Sequence, residues 1–362
     1  MRNVTLKINT AAFARYQAGL SMIELMVGMA VGLIGTVIIA ASLIANEDFK
    51  RRTVGTSDAQ VNGALSLYAI ERDLRMTGFG FSNTNAFGCA SVSYTHSAFA
   101  GAVPTFGLRP VLITQGASGA SDSVQVVYSS EAERTLPGVL SGAMAAAGSS
   151  ITLTDTMGIN GSTTTRGDLV VAVSGTSCTL FQVTANVNPT LTLAAAAPFN
   201  AGTSSPGFAS GSYLFNLGLP VVRTYSIGSN QSLQLADVFT TTATNVAPTV
   251  TSASTTITNG VVDLQADYGM DTDGNGVVDT YTTTSPTTAA GWAQVMAVRV
   301  AILVRSANYV RPATAGGACA ATTAAPTWTG GTHFMSDTLP SCYKYRSFET
   351  VVPLRNVIWK EA

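Results

Sequence analysis

Hydrophobic and polar positions divide the chain into three regimes. Residues 20–45 are apolar apart from Ser21, Glu24, Thr36 and Ser42. At 1.5 Å per residue, such a helix spans about 39 Å, more than the roughly 30 Å of a bilayer core. Residues 46–52 are polar and belong at the outer membrane interface. From about 58 to 77 a helical period returns, with Val61, Ala64, Leu65 and Tyr68 on one stripe and Leu67, Ile70 and Leu74 on an adjoining one. These stripes are predicted to hold the rest of the protein, while Glu71, Arg72, Asp73 and Arg75 read as a solvated face. Gly78 ends the helix, and Gly80 with Ser82 and Asn83 continues as loop.

Beyond residue 120 the period becomes two. Strands are predicted at 123–128, 151–154, 168–173, 178–184, 213–217, 221–227, 232–235, 297–306 and 348–354. In 297–306, Val298, Val300, Ile302 and Val304 face one way, with Arg299 and Arg305 on the other side. Pro353 places the last strand at an edge. Runs rich in Gly, Ser, Thr and Ala at 141–150, 194–211 and 240–256 read as surface loops. The fold class is therefore α+β: a long N-terminal helix, half membrane-spanning and half amphipathic, packed on a β-rich C-terminal head. The expected parts are 1–19 leader, 20–45 transmembrane helix, 46–78 amphipathic stem and 79–362 head.

Charge fixes the orientation. Residues 1–19 carry Arg2, Lys7 and Arg15 and no acid. The positive-inside bias keeps that end cytoplasmic and sends the head outward. The whole chain has net charge -1, from 19 basic and 20 acidic groups. Removal of the leader leaves 19 - 3 = 16 basic groups and a charge of -4. Neither state has a field that favours nucleic acid, and none is expected as a partner.

Glu24 is the anomaly in the apolar segment, because a lone carboxylate in a membrane helix is costly unless it is partnered. It stands five residues past Gly19. A secretory signal places its small-residue cleavage site after the apolar run; here Gly19 lies before it. The segment Gly19-Leu20-Ser21-Met22-Ile23-Glu24-Leu25 resembles the type IV prepilin class, although Leu20 stands where most members carry Phe. The resemblance implies that a prepilin peptidase cuts after Gly19 and methylates the new amine on Leu20. It also implies that Glu24 pairs with the N-terminal ammonium of a neighbouring subunit, offsetting the burial of both charges and setting axial register. Gly28 and Gly32 form a G-x-x-x-G spacing that permits close helix approach. Simple enrichment of glycine in membrane helices accounts for it equally well.

Residues 70–79 resemble the same stretch of PilW-type minor pilins and of type II secretion pseudopilins. Residues 292–306 and 346–356 again resemble the PilW family. The implied function is a minor pilin needed for type IV pilus assembly, priming or capping the filament. Its partners would be other minor pilins, the major pilin and the prepilin peptidase/methyltransferase. It would be held in the inner membrane with its head periplasmic before joining the pilus. The alternatives are a minor pseudopilin of type II secretion, or a pilus-tip adhesin or DNA-binding head mounted on a pilin stem.

A second motif lies at 268–279. Asp271, Asp273, Asn275 and Asp279 occupy positions 1, 3, 5 and 9 of a calcium-type loop, Val277 offers its carbonyl at position 7, and Gly276 allows the turn. Position 12 is Thr282, so the bidentate glutamate is missing; Asp263 and Asp267 are candidates for a further acidic ligand. The alternative is an acidic Gly-rich turn without metal. A structural Ca2+ is thus the one candidate cofactor, and none is required for the pilin reading. Four cysteines allow three pairings. Cys319 with Cys342 closes a short loop and is the first choice, leaving Cys89 with Cys178. His96 and His333 lie in loop-like sequence and read as solvated. No zinc spacing, phosphate loop, dinucleotide fingerprint or nucleophile elbow occurs, so no enzyme is expected.

Overall fold

The computed structural model describes residue 19 and residues 21–358, apart from 82, 100–101, 131–132, 163–165, 203–204, 242–248, 311, 313–316, 318, 320, 323–325 and 331–338. The leader to residue 18, Leu20 and His333 therefore lie outside the described residues. Two compact units divide the chain, 1–54 and 55–362.

One helix, α1, runs unbroken over Met22–Met76. The polar stretch 46–52 does not interrupt it. Its first unit's apolar side chains are exposed throughout, and it is long and apolar enough to cross a membrane. Two left-handed glycines, Gly78 (φ 82°) and Gly80 (φ 89°), turn the chain out of the helix. The Gly78 N–H donates to the Val127 carbonyl at 2.9 Å, tying the helix end to the head.

Within the second unit, the buried line of α1 runs Gly55, Ala59, Gly63, Ser66, Ile70 and Leu74, and Thr77 just past its end is buried as well. This corrects the expected stripe: Val61 (62% exposed), Leu65 (48%) and Tyr68 (63%) point to solvent. The reason is close approach. A Cβ on Gly63 would collide with the Phe348 ring, so only a residue without a side chain admits that ring. Ile70 and Leu74 are fully buried in the main core, each worth roughly 1.5–3 kcal/mol.

After α1 come α2 (Thr84–Phe87), β1 (Val111–Thr114) and β2 (Ser123–Ser129). The chain then leaves for residues 130–219 and returns as β10, antiparallel to β2 with Pro220 opposite Ser129. The excursion builds β3 (Gly138–Val139), β4 (Ser150–Thr152), β5 (Leu169–Ser174), β6 (Ser177–Gln182), β7 (Ala185–Val187), β8 (Thr190–Thr192) and β9 (Tyr213–Gly218). They form two sheets, ordered β3-β9-β5-β6 and β4-β8-β7. Strand alternation gives β5 two cores: Leu169, Val171 and Val173 face the main one, while Val170 and Ala172 face a smaller one with Leu140, Ile151 and Leu191.

Strands β10 (Pro220–Gly228), β11 (Ser232–Asp237), β12 (Phe239–Thr240), β13 (Thr249–Val250) and β14 (Ser254–Asn259) follow. The five-stranded sheet is ordered β1-β2-β10-β11-β14. The last sheet has β15 (Val261–Met270), β16 (Thr280–Thr282), β17 (Val295–Arg305) and β18 (Tyr345–Pro353), ordered β16-β15-β17-β18. Pro353 thus ends an edge strand, as expected. Helices α3 (Ala289–Ala293) and α4 (Arg355–Ile358) flank it. The three low-complexity runs are not plain surface loops: Met144, Phe199 and Phe208 are buried, and β13 and the start of β14 fall within 240–256. His96 is also buried, edge-on to Phe199 at 4.7 Å between ring centres.

The cysteines pair as Cys89–Cys178 (Cα–Cα 6.0 Å) and Cys319–Cys342 (5.4 Å). The first ties the end of α2 to β6.

Asp73 is the main correction to the solvated-face reading, being 1% exposed. The Tyr225 hydroxyl donates to its Oδ2 at 2.7 Å and the Tyr128 hydroxyl to its Oδ1 at 3.2 Å. Arg223 reaches Oδ2 at 3.2 Å, and its Nε donates to Asp237 at 2.9 Å. Burial, then the Asp73 charge, pushes Tyr128 up to about 12; the same causes raise Tyr225. Burial raises Asp237 above the usual carboxylate range. Asp73→Ala, which strips a buried charge cluster of its centre, is expected to destabilise the head by about 3–5 kcal/mol in urea unfolding. Because the folded tyrosine holds its proton more tightly than the unfolded one, stability is complete below pH ~10 and falls as pH rises toward ~12. Asp73→Asn should narrow that alkaline window.

Candidate functional site

The start of α1 is built from a short pattern. Ser21 and Glu24 form a reciprocal capping box: the Ser21 N–H donates to Glu24 Oε2 at 3.1 Å, and the Glu24 N–H donates to Ser21 Oγ at 3.2 Å. Two of the N–H groups left over at a helix start are thereby satisfied, and the carboxylate lies at the positive end of the helix dipole. The S-x-x-E spacing carries this signal, yet the reading of Glu24 as a partner for another subunit passed over its bond to its own chain. Gly19 is exposed ahead of the helix. Gly28, Gly32 and Gly35 face open space, with nothing within 4 Å of a Cβ built on them.

Further along, α1 shows two faces. The small residues Gly55, Ala59 and Gly63 are used against the head, and the apolar Val61, Leu65 and Tyr68 remain outside. An exposed apolar helix face of this kind is suited to packing against another helix.

The acidic loop lies between β15 and β16. Its ends are held by Asp271 N–H to Gln294 O (2.9 Å) and Asp279 N–H to Met270 O (2.8 Å). Gly274 (φ 79°) and Gly276 (φ 83°) take the left-handed conformations of the turn. Asp271 accepts from the N–H groups of Gly274 (2.7 Å) and Asn275 (3.2 Å) through Oδ1 and of Gly276 (2.8 Å) through Oδ2. The Asn275 amide donates to Asp273 at 2.9 Å, and the Val277 N–H donates to Asn275 Oδ1 at 2.8 Å. Thr272 donates twice to Asp279 at 2.7 Å, through hydroxyl and N–H, and holds that carboxyl below the usual range. The structure thus brings together Asp271, Asp273 and Asp279, with one oxygen of each within 4.8 Å of the others. The donor set is all oxygen and fits a hard cation.

Asp263 and Asp267 do not join it. Asp263 accepts from Ser121 at 2.7 Å. Asp267 is paired across strands with Arg299, which donates through Nε at 3.1 Å. Arg299 in turn lies over the rings of Tyr281 (4.1 Å) and Trp328 (5.2 Å). Both acids sit on the β15 face opposite the main core, where they serve the sheet.

The family model of type IV pilus-assembly protein W matches residues 224–356. That span starts in β10, contains the acidic loop and ends in α4. The prokaryotic N-terminal methylation motif matches residues 14–40, which hold Gly19, Leu20 and Glu24. The two matches fall at the two ends of the chain and agree with the PilW-type and prepilin resemblances read there in the sequence. A solved type IV-like pilin from Thermus thermophilus is similar at 11% identity and a TM-score of 0.34, over 81% of this chain and 95% of that one. No curated protein matches the chain in sequence. The methylation motif and the apolar helix are consistent with membrane anchoring and a pilin role.

Ser21→Ala should open the capping box without touching Glu24. A cap of this type is worth about 0.5–2 kcal/mol, so amide exchange at Glu24, followed by NMR of the chain in lipid nanodiscs, is expected to speed up by roughly 2- to 30-fold, with rates beyond Leu33 unchanged.

Proposed function

We propose that this chain is a minor pilin: a structural, non-enzymatic subunit that primes or caps a type IV pilus. The observation that carries this is α1 itself. One helix combines the methylation-motif start, an apolar span and a stem whose apolar residues face outward. A lone subunit gains nothing from exposing Val61, Leu65 and Tyr68, whereas a filament of packed helices buries them. In this reading a peptidase cuts after Gly19, the new Leu20 amine is methylated, and the chain waits in the inner membrane. On assembly Glu24 exchanges its bond to Ser21 for the ammonium of a neighbouring pilin, which sets the register.

The test is deletion of the gene, complemented by wild type or Glu24→Ala, with pili counted by electron microscopy and secreted enzymes assayed. Loss of pili restored by wild type alone supports the proposal. Intact pili with failed secretion would make the chain a pseudopilin instead.

The acidic loop is proposed to hold a structural calcium ion through Asp271, Asp273, Asn275, the Val277 carbonyl and Asp279. Three carboxylates within one short loop repel one another, and a divalent cation removes that repulsion. Calcium at about 100 times its dissociation constant should stabilise the chain by about 2.7 kcal/mol. Thermal unfolding with and without the ion checks this; the double variant Asp271→Ala, Asp273→Ala should show no calcium effect.

A further inference from the structure

One cleft in the head has no part in the pilin reading. It has a volume of about 650 Å³ and lies between α2, the β5–β6 turn, the residues leading into β9 and those leading into α3. That size falls in the range of small-molecule sites. Among the described residues fifteen line it, and none of these is charged. An ionic ligand would therefore lose water there without gaining a counter-charge.

The lining is instead rich in hydroxyls. Those of Thr84, Ser174, Thr176 and Thr287 make no hydrogen bond among the described residues. Asn85 points its Nδ2 at Asn83 Oδ1 (2.8 Å), which leaves its own Oδ1 as an acceptor. Tyr213, half-buried, is the aromatic among the described residues of the wall. Hydroxyls both donate and accept, and so match a ligand whose groups do the same. A tyrosine ring adds a flat apolar surface with a polar edge.

The walls are fixed. The Cys89–Cys178 disulfide joins the end of α2 to β6 just past the turn. Gly88 packs against the Gly175 carbonyl, 3.2 Å from the position a Cβ would take. Thr288 Oγ1 accepts the Gly291 N–H at 3.1 Å, setting the start of α3. Gly175 (φ 59°) and Gly211 (φ 87°) hold left-handed turns with nothing within 4 Å of a built Cβ, so the rim is open. Little reordering would accompany binding to such a site, which favours affinity.

We propose that this cleft binds a neutral saccharide, with the Tyr213 ring against the apolar face of a pyranose and the hydroxyls and Asn85 bonding its edge. The inference stands apart from the minor-pilin proposal, and its failure would leave that proposal untouched.

The test uses the full chain in lipid nanodiscs, free of sugar-based detergent. Saturation-transfer NMR is recorded with glucose, galactose, N-acetylglucosamine and, as the charged comparison, glucuronate. The expected result is transfer to at least one neutral sugar, with glucuronate at least ten-fold weaker. Tyr213→Ala should weaken the binding about ten-fold, equivalent to about 1.4 kcal/mol. Thr176→Trp, on the exposed turn, should block it while leaving thermal unfolding unchanged, and serves if Tyr213→Ala fails to fold. Absence of transfer to all three neutral sugars, equal transfer to glucuronate, or unchanged transfer in Thr176→Trp would overturn the proposal.

Discussion

A buried carboxylate on the stem decides how the head is held. Asp73 lies one helical turn from the end of α1, where Tyr225, Tyr128 and Arg223 converge on it from β2 and β10. A charge taken out of water is costly unless its partners are in place. Those partners exist only when β2 and β10 lie side by side, which requires residues 130–219 to fold as a closed excursion from the sheet. Stem register, sheet pairing and inserted strands therefore depend on one another through a single residue.

The same helix is divided by residue size. Small residues face the head because Phe348 and its neighbours come close; larger apolar ones face away. Hydrophobicity alone would turn the helix the other way and bury Val61, Leu65 and Tyr68. What favours the observed face is the fit of Ile70 and Leu74 into the core together with the Asp73 bonds, and the outcome is a stem with an apolar side still to be covered. Such a side is suited to packing against a further helix, as the proposed minor-pilin role would require.

Much of the fold was legible in the sequence. Strands such as β5, β10 and β17 were readable because they are short runs rich in Val, Ile and other apolar or β-branched residues set between turn-forming stretches. Pro353 correctly marked an edge, and Gly78 the helix end. β15 was missed although it is buried along its whole length, because Asp263, Gln265 and Asp267 alternate with its core residues and read as loop or ligand. Arg299 supplies the counter-charge for Asp267, from a strand more than thirty positions away, and no local pattern carries that. Sheet order was equally hidden, since the neighbours β2 and β10 are separated by the whole excursion. At the helix start, Gly19 and Glu24 stood out as an anomaly, whereas the bond between Ser21 and Glu24 went unread despite its spacing. The acidic loop was legible because all its residues are local.

The central claim is that α1 enters the mature protein whole, with the cut before its apolar segment and not after it. Mass spectrometry of the mature N-terminus tests that most directly. The account predicts a chain that begins at an N-methylated Leu20 and retains Glu24. A mature chain that begins beyond residue 45, or one that still carries the basic leader, would contradict it.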